Sequence, residues 1–233
     1  MMCCTLHVPT RLRGLLTILF FGCLFVASPL TVAAQQAAAI PPSKLAATVE
    51  EDFRAGMSGN QDAFDRAMKS TEELLAGNPA HAEALVWHGS GLVSKSGKAF
   101  MAGDFQQGSY FMDKGLAEMT KAVELEPENV HVRFTRGSTL LVLSKVFPIP
   151  DTAQDCLAKG LVDFETVVTT LGSTINTAPV KWRGHLLIEL ASGWKRSGNE
   201  AKAKAYAEQA VTLCPGTKYE TQAKDLLTTI NVK

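Results

Sequence analysis

The sequence lacks the short motifs that mark most catalytic, metal-binding and nucleotide-binding sites. Its 233 residues contain no HExxH or CxxC pair, no GxSxG elbow and no Walker loop. Those motifs place metal ligands, a nucleophilic serine or a phosphate-binding loop, so the sequence offers no support for the enzyme and metal-site classes that use them. We therefore predict no enzyme activity and no cofactor.

An excess of charge of either sign is also missing. Lysine and arginine total 23, and aspartate and glutamate total 23. Nucleic-acid-binding domains usually carry a basic surface that neutralises phosphates. The balanced charge gives no reason to expect a nucleic-acid partner, and we predict none.

Acidic residues are absent before Glu50. In that stretch Arg11 and Arg13 precede an apolar run at 15–30, which is followed by small residues. This order is typical of a secretory signal peptide. We predict a signal peptide over 1–34 and an exported protein that is either periplasmic or secreted.

The apolar run is short for a membrane span. A spanning helix needs about 20 apolar residues, and Ser28 and Pro29 interrupt the run. We predict no integral membrane span once the leader is removed. Two alternatives remain open: the leader is kept as an N-terminal anchor, or Cys23 in the segment FFGC is lipid-modified.

The C-terminal part of the chain shows small residues at helical spacing. Ala203, Ala207 and Ala210 lie three or four positions apart and share one face of a helix. Gly198 marks a turn before this helix, and Pro215 ends it. The segment before the turn has a matching apolar stripe, formed by Leu187, Leu190, Ala191 and Trp194. The pattern predicts two helices joined by a tight turn, with small and apolar residues where they meet.

This helix pair resembles a tetratricopeptide repeat. The matching positions are Leu187, Leu190, Ala191, Trp194, Gly198, Ala203, Ala207, Ala210 and Pro215. Ala191 stands where the family usually has glycine, and Ala207 stands where it usually has an aromatic residue. Both remain small, so the packing that the resemblance implies is retained.

Earlier segments repeat the pattern, as expected because one such pair cannot bury its apolar face alone. Gly89 and Gly137 lie at the position of close helix contact in two opening helices. Two closing helices begin with Lys-Gly-Leu, at Lys114 and Lys159, 45 residues apart.

The resemblance implies an all-α fold. In it, about four αα-hairpins would form a right-handed superhelix, a TPR-like solenoid, that ends in a C-terminal capping helix. We assign 1–34 to the signal peptide, 35–42 to a flexible spacer and 43–233 to the helical repeat domain.

The repeats are longer than those of the family. They step by roughly 44 to 48 residues, whereas a tetratricopeptide repeat has about 34. We place the extra length in elongated turns at 96–112 and 146–156, because two prolines interrupt any helix in the second segment. Asp151 or Thr152 would cap the helix that follows, and both turns would emerge at one edge of the stack.

Cysteines and tryptophans are interpreted as structural. Cys156 and Cys214 fall near opposite ends of parallel helices, too far apart for a disulfide, so we predict two unpaired, buried thiols. Trp87, Trp182 and Trp194 are predicted to pack in the core or between repeats.

Arg136 is predicted to form a structural salt bridge. It adjoins the close-contact glycine of its helix, and Asp163 or Glu165 on the next helix would be its partner. Arg133 lies three positions earlier and is expected to face a different side.

The resemblance also implies a groove lined by the first helix of each hairpin. The basic clamp by which some family members hold a carboxylate is not recognisable, since Val86, Ser90 and Thr135 stand where lysine or asparagine would be expected. A mixed apolar and polar groove for a peptide segment is the alternative. The predicted groove residues are Val86, Ser90, His131, Phe134, Ser138, His185, Ile188, Ser192 and Lys195.

These features predict an exported, non-catalytic helical-repeat scaffold that binds an as yet unidentified protein or peptide partner. The alternative is a periplasmic ligand-binding component, such as one associated with a transporter. An enzyme with its site on the elongated turns is disfavoured, since no Asp-rich or His-rich pairing occurs there.

Overall fold

The computed structural model describes residue 40 and residues 43–230. In this part of the chain the secondary structure is helical and no strand occurs. The α-helices are α1 Ala47–Met57, α2 Gln61–Gly77, α3 Ala82–Met101, α4 Phe105–Leu125, α5 Val130–Val146, α6 Pro150–Leu171, α7 Val180–Arg196, α8 Glu200–Leu213 and α9 Lys218–Thr228. The all-α prediction is confirmed, whereas the predicted signal peptide, with Cys23, lies outside the described residues.

Consecutive helices pack against each other in pairs. The pairs are α1 with α2, α3 with α4, α5 with α6, and α7 with α8, while α9 contacts both α7 and α8. A short 3₁₀ segment, Gly172–Thr177, connects α6 to α7. The buried apolar side chains form successive clusters along the chain, centred on Phe53, Met119 and Phe164. Adjacent pairing, which the sequence predicted, is therefore confirmed.

The turns inside three of these pairs share a glycine followed by a helix-capping residue. The glycines have φ of +108° at Gly59, +81° at Gly103 and +84° at Gly198. Residues other than glycine rarely adopt a positive φ of this size. The capping residues are Asn60, Asp104 and Asn199, each of which accepts a hydrogen bond from a backbone N–H three positions on. These turns span only three residues, and the helices they join are antiparallel.

The predicted elongated turn at 96–112 is wrong. Helices α3 and α4 have 20 and 21 residues and are separated by three residues around Gly103. The extra length of the repeat is therefore carried as additional helical turns. The Gly103-Asp104 dipeptide marks this turn in the same way as Gly198-Asn199, and is the signal from which it could have been predicted.

The predicted turn at 146–156 is also shorter than expected. Helix α6 begins at Pro150, where the missing N–H of proline costs nothing, and it runs for 22 residues. The N-cap is Ile149, without a side-chain cap. Capping by Asp151 or Thr152 was therefore wrong, because both residues lie inside the first turn.

Helices α3 and α4 approach each other to backbone distance. A Cβ atom added at Gly89 would lie 2.6 Å from the carbonyl oxygen of Gly115, and one added at Gly115 would lie 2.6 Å from the carbonyl oxygen of Gly89. In α5 and α6 a Cβ at Gly160 would lie 3.3 Å from the carbonyl oxygen of Gly137. The glycine of each Lys-Gly-Leu segment thus packs against the contact glycine of the opening helix.

A polar pair accompanies each glycine contact at matching positions. His88 Nδ1 lies 2.5 Å from Glu118 Oε2, and Arg136 binds Asp163 through both carboxylate oxygens at 2.6 and 2.7 Å. In each case the cationic or imidazole partner directly precedes the first-helix glycine, and the acid follows the second-helix glycine by three positions. The predicted bridge from Arg136 to Asp163 is confirmed. Arg133 was expected to face elsewhere, but its Nη1 also donates to Asp163 Oδ1, at 2.7 Å.

Helices α7 and α8 use small apolar residues instead. Ala203, Ala207 and Ala210 are completely buried, as predicted. Helices α7 and α8 therefore achieve close packing with alanine, without a buried charge.

The thiols of Cys156 and Cys214 are buried and unpaired, which is also as predicted.

Replacing Gly89 by alanine should destabilise the protein. The new methyl group would overlap the backbone of α4, and overpacking of this kind costs about 1–3 kcal/mol. The control is Gly97→Ala in the same helix, where nothing lies within 4 Å of the added Cβ. That change should raise stability by about 0.5–1 kcal/mol through helix propensity. Urea unfolding of the two variants measures the contrast, and equal midpoints would contradict the glycine contact.

The variant Asp163→Ala, which removes the carboxylate, should be much less stable than wild type. The Asp163 side chain is 0% exposed and holds two arginines, and breaking a buried ion pair costs about 3–5 kcal/mol. The control is Asp155→Ala in the same helix, whose surface pair with Lys159 is worth at most about 1 kcal/mol. Thermal and urea unfolding should separate the variants clearly. Similar stabilities would mean that Asp163 is not a structural anchor.

Candidate functional site

A cavity of about 550 Å³ lies between α1, α3, α5 and the start of α7. We call it the inner cavity. Its lining comprises Ile40, Ser43, Glu50, Arg54, Met57, Trp87, Ser90, His131, Phe134, Thr135, Ser138, Thr139, Thr177, Ala178, Pro179 and Trp182. The volume falls within the range of about 300–1,000 Å³ that is common for ligand pockets.

Aromatic rings form two parts of the cavity wall. The ring of Phe134 stacks on Trp182 at 4.5 Å and on Phe164 at 5.4 Å between centroids. In the other part of the wall, the ring of Trp87 stacks on that of Phe53 at 5.3 Å between centroids. Phe53 and Phe164 are fully buried core residues. The core therefore fixes the orientation of the rings that the cavity presents, and the predicted packing role of Trp87 and Trp182 is only part of what they do.

A chain of hydroxyl groups connects α3 to α5 within the cavity lining. Thr139 Oγ1 donates to the carbonyl oxygen of Thr135 at 3.0 Å, and Ser90 Oγ lies 2.9 Å from Thr139 Oγ1. Because the Thr139 hydroxyl has one proton and uses it on Thr135, Ser90 must be the donor to Thr139. The oxygen of Ser90 then has accepting capacity left for a ligand.

The inner cavity also contains a charged pair on α1. Arg54 Nη2 donates to Glu50 Oε2 at 2.9 Å. The side chain of Arg54 is 64% exposed, whereas that of Glu50 is only 14% exposed. The second carboxylate oxygen, Oε1, is buried and has no hydrogen-bond partner among the described residues. A buried acceptor without a donor costs about 1–3 kcal/mol, so this oxygen is a destabilising feature of α1 beside the cavity.

His185 lies behind the aromatic wall. Its ring meets Phe164 edge-on at 6.1 Å between centroids, and its Nε2 lies 3.4 Å from Ser138 Oγ. Burial lowers the pKa of His185, so the imidazole is neutral at pH 7. It therefore supports the wall without bringing a positive charge to the cavity.

Four of the predicted groove residues line the inner cavity: Ser90, His131, Phe134 and Ser138. The predicted exposure of Val86 is wrong, because its side chain is 0% exposed and belongs to the core. Its neighbour Trp87 reaches the cavity instead.

The remaining predicted groove residues, all on α7, do not line the inner cavity: His185, Ile188, Ser192 and Lys195. Ile188 packs against the core, and Lys195 Nζ donates to Thr229 Oγ1 at 2.6 Å. Only the beginning of α7, at Trp182, reaches the cavity. The contributions of Glu50 and Arg54 were not predicted, since both lie on α1, before the segments in which the repeat pattern was found. Trp182 was predicted only to pack in the core or between repeats.

A short segment before α1, which we call the strap (Ser43–Leu45), is fixed by one carboxylate. Glu83 Oε2 accepts from Ser43 Oγ at 2.7 Å, from Lys44 N at 2.7 Å and from Leu45 N at 3.0 Å. Asn129 Nδ2 donates to Oε1 at 3.0 Å. Glu83 is 1% exposed. It thus holds the strap, and with it the Ser43 part of the cavity wall, against α3 and α5.

The predicted spacer at 35–42 lies outside the described residues except for Ile40. That side chain is partly buried, packs against the core and lines the inner cavity. Its position adds an apolar contact to the wall that the strap forms.

Hydrogen bonding sets the ionisation of Glu83. Burial acts to raise its pKa, but hydrogen bonds from Asn129 and Ser43, together with the positive field of His131, lower it by more. The net pKa of Glu83 lies below its ordinary value. The pKa of Glu126 is lowered as well, mainly by its hydrogen bond from Lys44. Both carboxylates are therefore charged at neutral pH and strengthen the attachment of the strap.

Comparison with models of known protein families, with curated proteins and with solved structures gave no significant match. Within residue 40 and residues 43–230, no helix is both long enough and apolar enough to cross a membrane. No grouping of three or more His, Cys, Asp or Glu side chains that would suit a metal ion occurs in the same ranges. Beyond the paired helical architecture, the resemblance to tetratricopeptide repeats stays a prediction.

Stability should fall in acid through protonation of Glu83. Its folded pKa lies below the ordinary value of 4.5, so its contribution is present above about pH 4.5 and is lost as the pH falls through the folded pKa. The variant Glu83→Gln should be less stable than wild type at pH 7 and should lose less between pH 5 and pH 3. The control is Glu73→Gln, an exposed position, which should keep the wild-type slope. Urea midpoints across this range test the claim, which fails if all three slopes coincide.

Proposed function

We propose that this chain is an exported, non-catalytic helical-repeat protein that binds a segment of a protein partner in the inner cavity. In this proposal the helix pairs form a TPR-like, right-handed superhelix. Two observations support a repeat: the glycine contacts recur in α3–α4 and α5–α6, and the polar pairs recur with them at matching positions. Export rests on the leader-like sequence at 1–34.

The observation that carries the proposal is that first helices of successive pairs share one aromatic cavity. Trp87 comes from α3, Phe134 from α5 and Trp182 from α7. In the family that the sequence resembles, the corresponding helices line the groove for partner segments. An apolar side chain buried among these rings would gain about 1.5–3 kcal/mol. Hydroxyl groups beside the rings can bond to the backbone of an extended peptide.

A second candidate is the ligand-binding or transporter-associated component. The cavity volume of about 550 Å³ favours it, because this volume suits a whole small molecule as well as one side chain. Native mass spectrometry of the purified protein discriminates between the two candidates. A co-purifying compound of a few hundred daltons, lost when the cavity is filled, would support the second candidate.

Filling the cavity should abolish partner binding without unfolding the protein. Ser138 is partly exposed in the cavity lining, and Ser138→Trp would occupy much of its volume. The matched control is Thr212→Trp on the exposed side of α8. We expect affinity capture from an extract of the producing cell to yield at least tenfold less of a specific protein with the first variant than with wild type or the control. Melting temperatures check the fold, and identical captures by all three proteins would rule out the cavity as the binding site.

A further inference from the structure

The chain before α1 is attached to both aromatic parts of the cavity wall. Leu45, in the strap, is buried in the cluster centred on Phe53. Ile40 packs against the other cluster, which is centred on Phe164. Ile40 and Ser43 both line the inner cavity. Residues that precede Ile40 therefore start from the lining itself, and the hydrogen bonds that hold the strap fix the place from which they start.

Residues 36–39 are long enough to extend across the cavity. Four extended residues reach about 13 Å, whereas a sphere with the volume of the cavity, about 550 Å³, is about 10 Å across. The predicted leader ends at residue 34, so residues 36–39 stay on the chain after its removal. Their attachment through Ile40 gives them the millimolar effective concentration of a short linker, and weak contacts would suffice to hold them.

The charge of the lining favours an uncharged occupant. Among the described residues, the lining has one carboxylate, Glu50, and one guanidinium, Arg54, and these two are bound to each other at 2.9 Å. A charged group that entered the cavity would lose water without gaining a matched counter-charge. Residues 36–39 have the sequence Gln-Ala-Ala-Ala, which carries no charge.

The polar groups of the lining suit a stretch of backbone, because they include both donors and acceptors. Arg54 uses one of its five N–H groups on Glu50, and others remain for carbonyl oxygens. The oxygen of Ser90 can accept from an N–H, since its own proton goes to Thr139. Each residue of 36–39 brings one backbone N–H and one carbonyl, and the alanine methyl groups can pack on the aromatic rings.

We propose that residues 36–39 occupy the inner cavity of their own chain, and that a partner segment binds by displacing them. The inference goes beyond the proposed function, since it concerns the chain without a partner. The chain's own segment lowers the apparent affinity of any partner by the fraction of molecules in which it fills the cavity.

The first test places the photoreactive residue benzoylphenylalanine at Ala38 of the full chain. Irradiation should join residue 38 to the cavity wall near Phe134 and Trp182, and mass spectrometry of the digest locates the bond. Ser138→Trp, which fills the cavity, should abolish this bond. The control is benzoylphenylalanine at Thr212, on the exposed side of α8, which should give no bond to the wall. Bonds from residue 38 only to other surfaces, or only between two copies of the chain, would overturn the proposal.

The second test expels the segment by adding a charge. Ala38→Lys would bury a cation without a counter-charge, so residues 36–39 should leave the cavity. Binding of the uncharged dye Nile red should then rise several-fold, because the dye no longer competes with them. Thr212→Lys is the control and should bind as wild type does. Adding Ser138→Trp to Ala38→Lys should return dye binding to the wild-type level. Equal binding by wild type and Ala38→Lys would contradict occupation by residues 36–39.

The outcomes separate this inference from the proposed function. Capture of a partner that is lost in Ser138→Trp, with no bond from residue 38 to the cavity wall, would overturn only the inference. A bond from residue 38 to the wall, with identical captures by wild type and Ser138→Trp, would overturn the proposed function and keep the inference.

Discussion

The approach of α3 to α4 at Gly89 and Gly115 is the constraint on which the packing of the central helices depends. With two backbones in contact, neither helix can slide or rotate without collision, so the register of the pair is fixed. His88 directly precedes Gly89 and bonds to Glu118, which lies about one turn after Gly115, so each of these two polar side chains finds its partner beside the contact. In α5 and α6 the same places hold Gly137, Gly160 and the Arg136–Asp163 pair. The same contact therefore fixes the register within both helix pairs.

The cavity lies on a different face of these helices from the glycine contact. A helix that turns its glycine toward its partner presents a different stripe to the opposite side. On α5 this stripe contains His131, Phe134 and Ser138, which lie at i, i+3 and i+7 and all reach the inner cavity. On α3 it contains Trp87 and Ser90. The glycine side determines how closely the helices pack, and the other side supplies the surface that a ligand would meet.

The helical architecture was predictable because its determinants are local. The spacing of Ala203, Ala207 and Ala210 lies within one helix, and a Gly-Asn or Gly-Asp pair marks a turn within three residues. The prolines near α6 were misread as a long irregular segment, although proline at a first helical position begins a helix as readily as it ends one. The site was only half predictable, since Glu50 reaches the cavity through the packing of α1 across α3, which no local pattern encodes. The expectation for Val86 failed because the rotation of α3 about its axis depends on its neighbours.

The strap has a consequence for the order of events on the ribosome. Lys44 leaves the exit tunnel long before Glu126, its ion-pair partner 82 positions later, and the carboxylate of Glu83 follows Ser43 by 40 positions. At about 5–20 residues per second, the strap waits for seconds with none of these partners synthesised. The strap can dock only after these partners have been made, so one wall of the cavity is completed only once α3 and the start of α5 are in place.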